Sequence, residues 1–315
     1  MKFLAPAKIN LHLRVAPVSS DGFHPLLSWM STVGLFDTLT LNRCAEPQIR
    51  LICDDPSLAC DGTNLAVRAA EAILNTVHKT VSDRRAVGED GLAIELQKRI
   101  PTGGGLGGGS SDAARTILGL NRLWGLNLPV QELSAVAASL GSDIAFFCYG
   151  PSSVCSGRGQ IVRPIAVPRP RWVVLILPAI AVPTGPVYRR FDELLSPDDC
   201  RLHSAAVKIE PDWSAWSSLP AESLLANLKN DLERPAFDLH PALARLRSEL
   251  EQFLGRVVRM SGSGSSLFTL FDEAIAAEQA AATINKDAAG HALYRAISVM
   301  LAPRIEDDLA ESATA

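Results

Sequence analysis

The chain has 315 residues, of which 47% are hydrophobic and 20% charged, with a net charge of −4. That length suits about two domains with a substantial core, and the mixture is that of a folded globular chain, not a disordered or fibrous one. The acidic balance (pI near 5.9) leaves no cationic surplus for wrapping nucleic acid, and the longest apolar run, Trp172 to Val182, contains Pro178 and is too short to span a bilayer.

Lys2, Pro6 and Lys8 interrupt the N-terminus before a secretory core forms. The six cysteines (Cys44, Cys53, Cys60, Cys148, Cys155 and Cys200) include no CxxC pair, and no HExxH pattern is present. The expectation is a cytoplasmic protein with reduced thiols, no transition-metal site, and neither a nucleic-acid nor a membrane partner.

From Lys8 to Val15 the pattern alternates. Ile9, Leu11, Leu13 and Val15 share one face of a strand, while Lys8, Asn10, His12 and Arg14 share the other. Asp21-Gly22 marks a turn. Strands follow over Leu35 to Leu41 and Ile49 to Cys53, then a helix over Asn64 to His78 with Leu65, Ala69, Ala72, Ile73 and Val77 along one stripe. Lys79 to Gly91 reads as an exposed loop, and Leu92 to Ile100 as a strand stopped by Pro101.

A glycine-rich stretch comes next, Pro101-Thr102-Gly103-Gly104-Gly105-Leu106-Gly107-Gly108-Gly109-Ser110-Ser111-Asp112, opening a helix that closes near Gly125. Pro129 to Leu140 forms a second helix; Gly141-Ser142-Asp143 and the apolar Ile144 to Phe147 follow. Arg171 to Leu177 is a buried strand, and the domains divide just before it, into residues 1–169 and 170–302. Ser196 to Pro220 reads as loop-rich. A helix over Ala242 to Leu254 precedes two strands, Arg256 to Met260 and Leu267 to Phe271, which flank Ser261-Gly262-Ser263-Gly264-Ser265. A helix from Ala274 to Ile284 and a frayed acidic tail, residues 303–315, complete the chain.

Glycine loses more backbone entropy on folding than any other residue, so such a run between strand and helix needs a use. Without Cβ atoms, backbone N–H groups can surround a phosphate, aided by the positive end of the following helix. Ser110 or Ser111 can cap that helix or offer a hydroxyl to a magnesium ion. Asp112 favours the helix dipole but repels phosphate unless a cation intervenes. A dinucleotide fold requires an acidic strand end about 20 residues on, where helix, turn and helix follow instead; a Walker A loop requires a lysine that Gly109-Ser110 lacks.

Three stretches together resemble the GHMP kinase superfamily: Pro6-Ala7-Lys8-Ile9-Asn10-Leu11, Pro101 to Ala114, and Met260 to Ser266. The resemblance implies an α+β fold of two domains. The N-terminal one is nucleotide-binding and ribosomal-S5-like, and the C-terminal one is ferredoxin-like. It implies ATP as phosphoryl donor with Mg2+, its ligands left open. Asp21 to Leu26, Asn64-Leu65, Gly141-Ser142-Asp143, Val182-Pro183-Thr184 and Val187-Tyr188 narrow the likeness to the branch whose acceptor is a cytidine diphosphate ester, on the route to isoprenoid precursors.

The resemblance assigns Asp143 as the base toward the acceptor hydroxyl and Lys8 as its charged neighbour. Residues Pro101 to Ser111 become the phosphate loop, with Asn64 and Lys98 on the adenosine side. Asn10 and His24 become polar contacts to the cytidine compound, Phe23 and Tyr188 its aromatic walls, and Thr184 a contact to its alcohol end. The Gly262/Gly264 turn either closes over the site or is a plain hairpin. Phe23 stands where the family carries Tyr, and Ser142, Ile144 and Ala145 where it carries Ala, Val and Pro. Another small-alcohol kinase and a non-catalytic metabolite sensor are the alternatives; the oligomeric state is left open.

Overall fold

The computed structural model describes residues 1–80, 91–169, 171–288 and 293–307. The alternating N-terminus forms β1 (Lys2–Val15), antiparallel to β2 (Leu26–Cys44) from Lys2 opposite Thr40 to Val15 opposite Leu26. The register shifts between Asn10 and His12, a bulge that re-aims the strand. The expected polar face therefore divides. Lys8 and Asn10 reach a cavity, whereas His12 is enclosed by Trp213 and Trp216 and accepts a bond from the Lys229 N–H. Burial, followed by the nearby cations Arg14, Lys229 and Arg259, pushes His12 down to about 3, so it is neutral.

The expected strand at Leu35 is the second half of a longer one. β2 begins at Leu26, and its first half is buried on both faces, Met30 in one core and Leu27 and Trp29 in another, which erases the period-two pattern. Beyond β1, the other edge of β2 is shared by β4 (Gly91–Gln97) and β5 (Ser152–Gly157). β3 (Ile49–Cys53) runs parallel to β4, and β6 (Ile161–Pro164) pairs with β5. The small, polar sequence of β5 hid it from a hydrophobic reading.

Four helices pack on this sheet: α1 (Leu65–Thr80), α2 (Gly108–Leu123), α3 (Val130–Leu140) and α4 (Ser142–Tyr149). Phe3, Leu41, Ile73, Ile117 and Phe146 belong to the core between sheet and helices.

The second sheet has the order β10-β7-β9-β8. Its strands are β7 (Trp172–Pro178), β8 (Arg259–Met260), β9 (Leu267–Phe271) and β10 (Tyr294–Met300). Between β7 and β8 lie α5 (Thr184–Leu194), α6 (Pro197–Ala206), α7 (Trp213–Ser218), α8 (Ala221–Asn227), α9 (Glu233–Leu239) and α10 (Pro241–Leu254); α11 (Ala274–Ala288) follows β9. The expected loop at Ser196 to Pro220 thus contains two helices. Ser196 and Asp199 form a capping box at the start of α6, yet α6 buries no residue and so shows no apolar stripe. Ile9 and Trp29 of the first sheet share a core with Val173, Leu175 and Phe268 of the second, so the two sheets pack directly.

The expected fraying fails for residues 303–307: the Asp307 carboxylate accepts from the Leu4 N–H at 3.0 Å and pairs with Arg115 at 3.5 Å. Residues 81–90 of the expected loop, and 308–315 of the tail, lie outside the described residues. No helix among the described residues is long and apolar enough to cross a membrane. All six cysteines are unpaired.

Candidate active site

Between β4 and α2 the glycine loop walls a cavity of about 250 Å³, lined by every residue from Ile100 to Ser110 together with Leu65 and Lys98. Gly107 is the N-cap of α2 at φ +70°. The first amides of that helix have no intrahelical partner and carry the positive end of its dipole, which makes this cavity an anion site. Gly105 meets a second demand: a Cβ there would lie 2.3 Å from the Ser261 carbonyl oxygen.

That contact belongs to the turn between β8 and β9, which is not a plain hairpin. The Ser261 hydroxyl donates to the Gly105 carbonyl at 3.0 Å, and the Ser266 N–H to the Gly104 carbonyl at 3.1 Å. Gly262 and Ser263 then line a second cavity of about 170 Å³, which meets the first along Gly105 and Gly107.

In the second cavity the Lys8 ammonium lies 3.4 Å from the Asp143 carboxylate. It donates to the Asn10 side-chain oxygen at 2.6 Å, and the Asn10 amide donates to the Ser28 hydroxyl at 2.8 Å. Lys8 is buried, while the Asp143 side chain is 42% exposed on the first turn of α4 and free to meet a ligand. Thr184 and Tyr188, both on α5, close the opposite wall, with the Thr184 hydroxyl 2.9 Å from that of Ser263. Burial, then the nearby Asp143 charge, raises the Tyr188 phenol, so it stays protonated.

Four expected site residues sit differently. The Ser111 side chain is fully buried, so Ser110 is the loop serine that faces the cavity. Asn64 caps α1, accepting from the Ala66 N–H and donating to the Ala59 carbonyl, and its neighbour Leu65 takes the place in the wall. His24 packs against Tyr188, ring centroids 4.8 Å apart with the planes tilted by 43°. Its Nδ1 is 3.0 Å from the Ala16 carbonyl and must carry a proton there, which leaves Nε2, 3.5 Å from Asp192, for any ligand. Phe23 is half exposed, outside the cavity wall, beneath the Arg158 guanidinium at 4.4 Å.

Lys98 faces the loop cavity but is also a brace. Its ammonium donates to Asp37 at 2.5 Å and Asp112 at 2.8 Å. Burial lowers the Lys98 pKa, yet the two carboxylates outweigh it and hold the group above its ordinary value. Burial pushes Asp112 up to about 7; Lys98 opposes this rise and Asp37 adds to it. Sequence reasoning missed Asp37, and also Ser28, Leu13 and Leu26 of the second cavity. Ser28 becomes legible only through its pairing across β1 and β2.

Residues 64–151 match the family model described as GHMP kinases N terminal domain, and residues 218–289 that described as GHMP kinases C terminal. The class is therefore that of ATP-dependent kinases acting on small molecules. A relative from Bacillus subtilis (strain 168), named 4-diphosphocytidyl-2-C-methyl-D-erythritol kinase, is 37% identical over 84% of this chain and 86% of its own. One of the same name from Prochlorococcus marinus (strain MIT 9313) is 39% identical over 90% and 88%. A solved structure of 4-(cytidine 5'-diphospho)-2C-methyl-D-erythritol kinase superimposes with a TM-score of 0.74 at 34% identity, covering 96% of this chain and 100% of that one. The chain belongs to the GHMP kinase family, in the branch formed by these kinases.

Proposed function

We propose that the chain transfers the γ-phosphoryl group of ATP to the 2-hydroxyl of 4-diphosphocytidyl-2-C-methyl-D-erythritol, giving the 2-phosphate and ADP. The setting is the cytoplasmic, non-mevalonate route to isoprenoid precursors. The names of the relatives support the acceptor. The observation that carries the chemistry is the Lys8–Asp143 pair, 3.4 Å apart in a cavity that meets the glycine-loop cavity along Gly105 and Gly107.

Phosphoryl transfer depends on positioning and charge more than on covalent help. In this mechanism Asp143 takes the proton from the acceptor hydroxyl as its oxygen attacks the γ-phosphorus. The Lys8 ammonium, fixed by Asn10, stabilises the negative charge growing on that oxygen. The loop amides and the α2 N-terminus hold the phosphates of the leaving ADP.

Among the oxygens that line the cavities, the Ser110 hydroxyl in the phosphate loop and the Asp143 carboxylate are hard donors. They are few, which fits magnesium, an ion that keeps several waters and leans on substrate phosphates. Bound with ATP through Ser110, it would neutralise charge on the phosphates.

ADP release tests the assignment, with the cytidine diphosphate ester set against homoserine, galactose and mevalonate. A kcat/KM at least 10²-fold higher for the cytidine compound is expected; equal or greater turnover of another alcohol overturns the reading.

A further inference from the structure

We infer that Arg158 binds the diphosphate of the acceptor and so selects a nucleoside diphosphate ester over a simple alcohol. The inference rests on the acceptor reading above. Such an acceptor has a base at one end, a reacting hydroxyl at the other, and two phosphates between them. The cavity offers both ends: Tyr188 in its wall, with His24 packed against that ring, and Asp143 with Lys8. Lys8 is the cation in the wall, but it is committed to Asn10 and Asp143 where the chemistry occurs. The diphosphate needs a cation of its own.

Arg158 stands at the rim of this cavity, beside its wall residue Gly159. It lies in the turn joining β5 to β6, between Gly157 and Gly159. Gly157 pairs with Leu26, a residue of the cavity wall. Gly159 is itself in that wall, and a Cβ there would lie 3.3 Å from the Ser142 Cβ, one residue from Asp143. The backbone of Arg158 is thus anchored beside the reacting end, whereas its guanidinium stands over the Phe23 ring, next to His24 at the base end. A guanidinium stacked on an aromatic face keeps its in-plane N–H donors free, and their fork suits phosphate oxygens.

No ion pair engages Arg158 among the described residues. The acidic group nearest in effect, Asp21, is already bonded to the Ser19 hydroxyl and the Phe23 N–H. The sequence marks the position only by the glycines on either side, both at positive φ. Arg189, beside Tyr188 on α5, turns back along its own helix toward Gly185, which makes it a matched control.

The test is binding of cytidine, CMP and CDP by calorimetry, with a non-hydrolysable ATP analogue saturating the donor site throughout. CDP should bind the native protein more tightly than cytidine. Arg158→Gln should weaken CDP by about 10- to 150-fold, the worth of hydrogen bonds to a charged group, and leave cytidine within about twofold. Arg158→Lys should recover part of the loss, and Arg189→Gln should have little effect. In turnover, Arg158→Gln should raise KM for the acceptor and leave kcat and the ATP KM nearly unchanged.

An equal loss for cytidine and CDP would mean that Arg158 only braces Phe23, and would overturn the inference. So would loss of the diphosphate increment in Arg189→Gln instead. If none of the three compounds binds the native protein, the acceptor reading itself fails; binding with an increment indifferent to Arg158 leaves that reading standing and removes only this one.

Discussion

Replacing Gly107 by Ala should damage catalysis through Lys8 and spare ATP binding. At φ +70° an alanine costs about 1–2 kcal/mol, because its Cβ crowds the neighbouring carbonyl. The added Cβ would also lie 3.0 Å from Lys8 Cγ, 3.2 Å from Lys8 Cε and 3.2 Å from Phe147 Cζ. All three are closer than ordinary contact, so the lysine stem must give by a few tenths of an ångström. Its ammonium is held at 2.6 Å from Asn10 and 3.4 Å from Asp143, with little slack. A misplacement of about 1 Å near reacting groups costs on the order of 10²-fold, so a fraction of that predicts a loss of about 3- to 10-fold in kcat. The missing Cβ points at Lys8 and Phe147, so the ATP KM should stay within about twofold. Gly103→Ala is the control. It has the same φ of +70° and nothing within 4 Å of its Cβ, so it should lose a similar few degrees of Tm and keep kcat. Steady-state kinetics and thermal melting on both variants decide the matter. A raised ATP KM with intact kcat in Gly107→Ala, or equal loss of kcat in both, would refute the argument.

Asp143→Asn should lower kcat by about 10²- to 10⁴-fold and Lys8→Met by about 10²- to 10³-fold, with the double variant little worse than the worse single; fully multiplicative losses would show that the two do not act as a unit. The Asp112 carboxyl, raised to about 7 from 3.8, gives a proton linkage of definite sign. Between those values the native state holds a proton that the unfolded chain has released, so this group's contribution to stability falls as pH rises through the window. Asp112→Asn should flatten that part of the decline, measured by denaturant unfolding at pH 5 and pH 8; an unchanged difference between the two pH values counts against the buried carboxyl as its source.

Much of the fold was legible where burial is one-sided. The stripe of α1, the strand β9 and the helices α2 and α3 follow the expected patterns closely. Patterns failed where burial is two-sided or absent. β2 is enclosed along its first half and shows no alternation, and α6 buries no residue fully and shows no stripe. The site was legible in its three motifs because their residue types are constrained by close approach and charge. The brace of Asp37, Lys98 and Asp112 was not: its members come from β2, the residue after β4 and the second turn of α2, and sequence spacing gives no hint that they meet. Ser111 and Asn64 were misplaced for a related reason. Residue type does not separate a serine whose hydroxyl turns inward without a partner from one that faces a ligand, nor a helix-capping asparagine from a binding one.

The bulge in β1 explains how motifs so distant in sequence form one site. β2 occupies one edge of β1, and an unpaired edge is ordinarily a liability. Here that edge is put to use. Lys8 N–H donates to the Leu106 carbonyl of the glycine loop, and Asn10 N–H to the Ser261 hydroxyl of the β8–β9 turn. Past the bulge the parity changes: Leu13 N–H donates to the Lys229 carbonyl and Val15 N–H to the Asp231 carboxylate. Side chains follow the same change, since Lys8, Asn10 and Leu13 line the cavity while His12 leaves it. A regular strand would have kept the charged and polar residues in one row, with His12 in the cavity. The single extra residue instead gives the cavity a polar end at Lys8 and Asn10, where a hydroxyl must be activated. An apolar flank at Leu13, Leu26 and Leu232 then adjoins Tyr188. One strand therefore fixes the phosphate loop, the turn clamped onto it, and the change from polar to apolar wall that an acceptor with a charged middle and a stacking base requires.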